Sequence, residues 1–285
     1  MILPASLFLP MRRLSFLLFL IGTCLSSGTY AQISIAPTSV FIDQNGIGSL
    51  FITNPGDTPQ EVAVSSLFGY PGNDAMGNLL MVYGDSLREG QFGMGDRLRA
   101  FPKTFILGPR QQQTVRLQVR PDRSLPAGTY FTRIKVTSNP QTTDVDQVST
   151  EGVSTQVNFK FDQVIAAFHK VGDVQTGLEF GEVTTQIKDN SLRVVTDFTV
   201  TGNSPFLGSV TATLKNSQNE VLATQQQTTA LYFSGKRALE LTLQNPLSAG
   251  NYEVELLFET KRSDIPSSDL VQAPPISKKI ALTIN

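Results

Sequence analysis

From residue 33 onward the apolar residues fall in short runs of period two, and Gly, Pro, Asn and Asp separate the runs. Side chains alternate between two faces only in a β-strand, so such runs describe half-buried strands joined by turns. Val115, Leu117 and Val119 alternate with Thr114, Arg116, Gln118 and Arg120, and Ser49–Ile52 follows the turn pair Asn45-Gly46. No window shows sustained helical periodicity. The second half reads as seven strands: 192–200, 207–214, 220–224, 230–233, 238–243, 252–258 and 279–284. Turns at 201–205, 216–219, 234–236 and 249–251 separate them. Seven short strands at this spacing suit an immunoglobulin-like sandwich. A chain of 285 residues exceeds one small sandwich and accommodates two domains. The predicted fold is all-β, with two immunoglobulin-like β-sandwich domains in tandem, residues 32–170 and 171–285, after a signal peptide at 1–31.

The signal reading rests on Met11-Arg12-Arg13, the apolar run Leu14–Leu25 and the small residues of Thr29-Tyr30-Ala31. The run is short for a membrane span and has the layout of a secretory signal. No later segment is long and apolar enough to span a membrane. The sole cysteine, Cys24, lies inside this stretch, and Thr23 before it is a poor fit to a lipid-anchoring site. Removal of the signal leaves no thiol for a disulfide or thiolate metal site. It also removes Arg12 and Arg13, taking the formal charge from −1 to −3. Nothing in that balance favours a polyanion, so nucleic acid is not an expected partner.

Catalytic groups are sparse. His169 is the only histidine, which excludes a two-histidine metal site and leaves one residue for any Ser-His-Asp triad. It reads as a junction residue. Gly90–Gly95 lacks the Lys-Ser/Thr of a phosphate loop. Asn73, Asp74 and Asn78 lack the carboxylate spacing of a calcium loop and read as turn residues. No catalytic residue, cofactor or metal is expected, and the chain reads as a non-enzyme. Residues 69–97 carry seven glycines. They read as a long excursion holding one short strand, Leu79–Tyr83.

What remains is the chemistry of a sheet edge, whose unpaired N–H and C=O groups accept a partner strand. The alternating segment Val157–Phe161 follows a polar loop at 139–153. It puts Val157, Phe159 and Phe161 on one face. By pattern alone this face completes the core of the first domain; the alternative is a strand offered to a partner.

Several segments resemble the periplasmic pilus-assembly chaperones, the PapD-like family, in a variant form. They are Ile35–Val40, Ser49–Asn54, Phe101–Pro109 with Gln113–Leu117, Leu125–Arg133, Thr201–Gly208 and Tyr232–Arg237. The resemblance implies two immunoglobulin-like domains set at an angle. It also implies a last strand of domain one that is lent to an incomplete pilin subunit. Val157, Phe159 and Phe161 are then the donor-strand candidates. The family's carboxylate clamp pairs an arginine on the first strand with a lysine on the last. The arginine position holds Ser39 here, and Lys160 and Lys170 both lie near the lysine position. The implied function is a periplasmic chaperone-like protein binding secreted or pilus-type subunits by strand addition, with an outer-membrane usher as a further partner. The alternative is a structural or adhesive cell-envelope protein that binds through the excursion at 69–97.

Overall fold

The computed structural model describes residues 33–141 and 160–284. The predicted signal peptide with Cys24, most of the polar loop, and Val157 and Phe159 lie outside the described residues. Two β-sandwiches make up nearly all of the rest. In the first, one sheet has the order β1 (Ser34–Ala36), β3 (Ile47–Thr53), β9 (Gln112–Val119), β7 (Leu98–Phe101). The facing sheet runs β2 (Ser39–Ile42), β11 (Phe161–Val171), β10 (Gly128–Pro140), β4 (Gln60–Leu67), β8 (Thr104–Leu107). Leu50 and Ile52 of β3, Val115 and Leu117 of β9, Val62 and Val64 of β4, and Ile134 and Val136 of β10 fill the space between them. The residues between these point outward, as the alternation requires.

The second sandwich packs β12 (Thr176–Lys188), β13 (Ser191–Gly202) and β16 (Gly235–Thr242) against a four-stranded sheet. That sheet has the order β15 (Val221–Leu231), β14 (Phe206–Asn216), β17 (Gly250–Glu259), β18 (Ile276–Ile284). Its core holds Leu192, Val194, Phe206, Leu214, Leu239, Leu241, Leu256 and Phe258. The all-β, two-sandwich architecture is the one the alternation predicts. The strand inventory differs in two places. The predicted strands 220–224 and 230–233 are one strand, β15, because β14 pairs with it through the polar run Gln225–Thr229. β12 was not predicted, because its register shifts between Phe180 and Val183 and breaks the period of two.

The glycine-rich excursion also departs from expectation. It holds two strands, β5 (Gly69–Asn73) and β6 (Leu79–Tyr83), paired as a hairpin. The helix α1 (Ser86–Phe92) follows, and Asp85 caps it by accepting from the Arg88 amide at 3.0 Å. The hairpin reaches across to the second sandwich. The Ala238 amide donates to the Gly77 carbonyl at 2.9 Å. Arg193 donates through Nη2 to the Met76 carbonyl at 2.9 Å and to Asn78 Oδ1 at 2.6 Å. Gly77 sits at φ +80°, and a Cβ there would lie 2.8 Å from the Ala238 nitrogen. Gly77→Val combines a left-handed backbone with that collision. It is expected to cost about 2 kcal/mol. Hydrogen exchange is the check, with protection falling at Ala238 and along the hairpin while the two cores keep theirs.

A third apolar cluster joins the sandwiches. Phe68, Tyr70, Phe131, Ala166 and Phe168 meet Leu207, Tyr232, Ile265 and Leu270. Phe131 stacks on Phe68 at 5.4 Å between centroids and meets Tyr232 edge-on at 4.5 Å. Tyr70 meets Phe233 edge-on at 4.9 Å, and the Arg88 guanidinium lies 3.9 Å from the centre of the Phe233 ring. Burial pushes the Tyr232 hydroxyl pKa up to about 12, so the group is neutral at physiological pH. Polar bonds run beside the rings: Thr129 Oγ1 donates to Ser204 Oγ at 2.8 Å, and Asn203 Nδ2 donates to the Ala127 carbonyl at 3.0 Å.

Candidate functional site: an open strand edge beside the domain junction

β11 pairs antiparallel with β10 along its whole length, from Val171 opposite Gly128 to Phe161 opposite Ser138. On its other side it pairs with β2, in parallel, and only over Ala166–His169. Residues 162–165 therefore have no strand on that side among the described residues. The contact the structure gives there is a side chain's: Gln163 Nε2 donates to the Ile33 carbonyl at 2.7 Å. At about 3.3 Å per residue, this is roughly 13 Å of open edge.

The two faces of β11 do different work. Ile165 and Ala167 face the first core. Ala166 and Phe168 face outward and are covered by the junction cluster. Val164, on the outward face but beyond that cover, is 40% exposed. Phe161 is half-buried and begins the strand on the same parity as Ile165. By sequence spacing, Val157 and Phe159 continue that parity. Asp162 is anchored by its neighbours: it accepts a hydrogen bond from the Thr137 hydroxyl, and Lys135 Nζ lies 3.5 Å away. The Thr137 bond, then the Lys135 charge, hold its carboxyl below the usual range.

The predicted cationic positions do not gather. Ser39 is level with Ala166. Lys160 is exposed and precedes the strand. Lys170 stands four positions past Ala166, roughly 13 Å along the strand. Its ammonium is 5.9 Å from the centre of the Phe41 ring. Burial lowers its pKa, and Asp269 partly offsets this. His169 is buried with Nδ1 3.5 Å from the Ile42 carbonyl. It shares a cleft of about 870 Å³ with Lys170. Among the described residues no three His, Cys, Asp or Glu side chains gather as metal ligands.

A cation that sequence reasoning missed stands in the Ser39 row. Arg133 pairs with Ala166 across β10 and β11, so Ser39, Ala166 and Arg133 are neighbours on the outward face. Arg133 Nε donates to the Gly69 carbonyl at 3.1 Å, and its guanidinium lies 6.0 Å from the Tyr232 ring centre. No carboxylate pairs with it among the described residues. An arginine within the apolar alternation Tyr130–Val136 was the available signal.

No family model matches the chain, and no curated protein matches it. Solved structures do. The YadV chaperone is similar at 13% identity, covering 88% of this chain and 100% of that chain, with a TM-score of 0.44. The CsuC-CsuE chaperone-tip adhesion subunit pre-assembly complex from archaic chaperone-usher Csu pili of Acinetobacter baumannii is similar at 11% identity. It covers 87% of this chain and 98% of that chain, with a TM-score of 0.44. The Salmonella enterica SafA pilin in complex with the SafB chaperone is similar at 12% identity, covering 88% and 98%, with a TM-score of 0.42.

Proposed function

We propose that this protein is an exported periplasmic chaperone-like protein that holds secreted or pilus-type subunits by strand addition along the start of β11. The observation that carries the reading is the side of residues 162–165 that has no strand partner among the described residues, on a strand whose apolar alternation extends upstream through Phe161. A client sheet lacking a strand exposes backbone donors and acceptors that this edge satisfies. Each hydrogen bond so formed contributes about 0.5–1.5 kcal/mol net. Val157, Phe159 and Phe161 would fill alternate pockets of the client, each apolar side chain contributing about 1.5–3 kcal/mol when buried. With a serine at position 39, Arg133 supplies the cation for a client's terminal carboxylate. It lies in the same cross-strand row and lacks an acidic partner among the described residues.

The test is co-purification of clients from a periplasmic extract. Phe159→Asp with Phe161→Asp is expected to weaken retention at least about 30-fold, the size of one binding hot spot. Arg133→Glu is expected to weaken it as well, with the far-ultraviolet spectrum and melting temperature of each variant recorded to show a folded chain. Undiminished retention by folded variants refutes the donor-strand reading. The adhesive reading, in which the 69–97 excursion does the binding, meets an obstacle. β5, β6 and α1 contribute Tyr70, Val82 and Phe92 to the domain junction, which commits one face of that segment to a structural contact.

A further inference from the structure

We propose that β6 is a self-association strand. Two copies of this chain join antiparallel along its outer edge, about a two-fold axis through Met81, into a four-stranded β5-β6-β6-β5 sheet. β5 packs against β10, β15 and β16, and β6 is the other strand of this two-stranded sheet. Its far edge therefore has no strand partner among the described residues. Outermost strands in soluble proteins usually carry lysine, proline or a bulge that blocks pairing. β6 reads Leu-Leu-Met-Val-Tyr, with no charge, no proline and no register shift against β5.

The side chains are equally unguarded. Val82 packs into the junction cluster, so Leu79, Met81 and Tyr83 share the opposite, outward face. They are 62%, 42% and 48% exposed. Their partners on β5 are Asn73, Pro71 and Gly69, which leave the face low and apolar. The Tyr83 ring lies where a Cβ on Gly69 would be, 2.5 Å from its Cδ1. Leu80, Met76 at the preceding turn and Leu87 on α1 add further exposed apolar surface. At roughly 200 Å² per large side chain, the six expose on the order of 600 Å², at the scale of the ~800 Å² each partner buries in a stable interface.

The occupant that fits is a second copy. A five-residue strand paired antiparallel with itself about Met81 sets Leu79 against Tyr83 and Leu80 against Val82, so every cross-strand pair is apolar. A two-fold interface needs such a self-complementary patch. The bonds from Gly77, Met76 and Asn78 to the second sandwich hold the hairpin in place before association, so little ordering remains to be done on pairing.

Sedimentation velocity on the exported chain over rising concentration is the test. The mass is expected to pass from one chain to two. Met81→Lys, which sets two ammonium groups against each other at the axis, is expected to raise the midpoint concentration at least about tenfold. Val164→Lys, on the β11 edge, is expected to leave it unchanged. A one-chain mass at all concentrations overturns the proposal. So does a dimer that Met81→Lys spares or that Val164→Lys dissolves, since the contact then lies elsewhere. Cysteine cross-linking in a Cys24→Ser background gives an independent readout that retains the apolar strand. Met81→Cys faces its own copy and is expected to form a disulfide-linked dimer, and Leu79→Cys is not. The reverse pattern overturns the axis and the proposal with it.

Discussion

Phe131→Ala is expected to lower the unfolding free energy by about 3–5 kcal/mol, the range for removing a fully buried phenylalanine. The residue is 2% exposed and sits where the two sandwiches meet. Its ring contacts Phe68, Tyr70 and Phe92 from the first domain and Tyr232 and Phe233 from the second. Alanine removes the ring that meets five others across both groups; Tyr70 and Phe92 also reach the second domain's rings, and both lose their contact with Phe131. The loss falls on coupling as well as stability. The outward face of β10 does not contribute to the first core, so each sandwich keeps its own packing. Calorimetry is expected to show the native transition broadening or dividing in two as the domains melt separately. An unaltered single transition at the original temperature would refute the reading of this cluster as the coupling element.

Asn54→Ala carries a penalty of similar size for a different reason. Asn54 is fully buried at the end of β3. Its Nδ2 donates to the carbonyls of Thr58, Leu107 and Gly108 at 2.8, 3.2 and 3.1 Å. Its Oδ1 accepts from the Gly56 amide at 3.0 Å. One side chain thus satisfies backbone groups of the turn after β3 and of the strand end at β8. Alanine removes all of these bonds, and buried groups left without partners cost about 1–3 kcal/mol each before water enters. We expect a net loss of about 3–5 kcal/mol, read as a lower denaturant midpoint with an unchanged slope. A loss below about 1 kcal/mol would show that water replaces the amide at little cost.

How much of this was legible in the chain depended on where each strand sits. β3, β9 and β13 press one face on a core and show solvent the other, so their sequences alternate visibly. β12 and β15 lie at sheet edges, where polar residues are tolerated, and each is read correctly only through its neighbour's register. The excursion misled for another reason. Its glycines suggested a loop, yet Gly77 is there for the close approach of Ala238 and Gly69 for the Tyr83 ring. α1 has seven residues and buries none of them fully, too little for a helical period to emerge. Within the candidate site, alternation places Phe161 at the start of β11 as a donor-strand candidate. Alternation does not identify Arg133, because its nearness to Ser39 exists only after β2, β11 and β10 are laid side by side.

That β2 covers only four of the eleven residues of β11 has a consequence for any guest strand. A visiting strand advancing along the open edge meets the backbone of Ser39 and can go no further, because positions 166–169 are already taken. The edge is a berth with a buffer at one end. On the strand-addition reading proposed above, it would receive the tip of a strand and leave the remainder to trail away from the domain junction. Selection would then fall on how a guest chain terminates more than on what its middle contains.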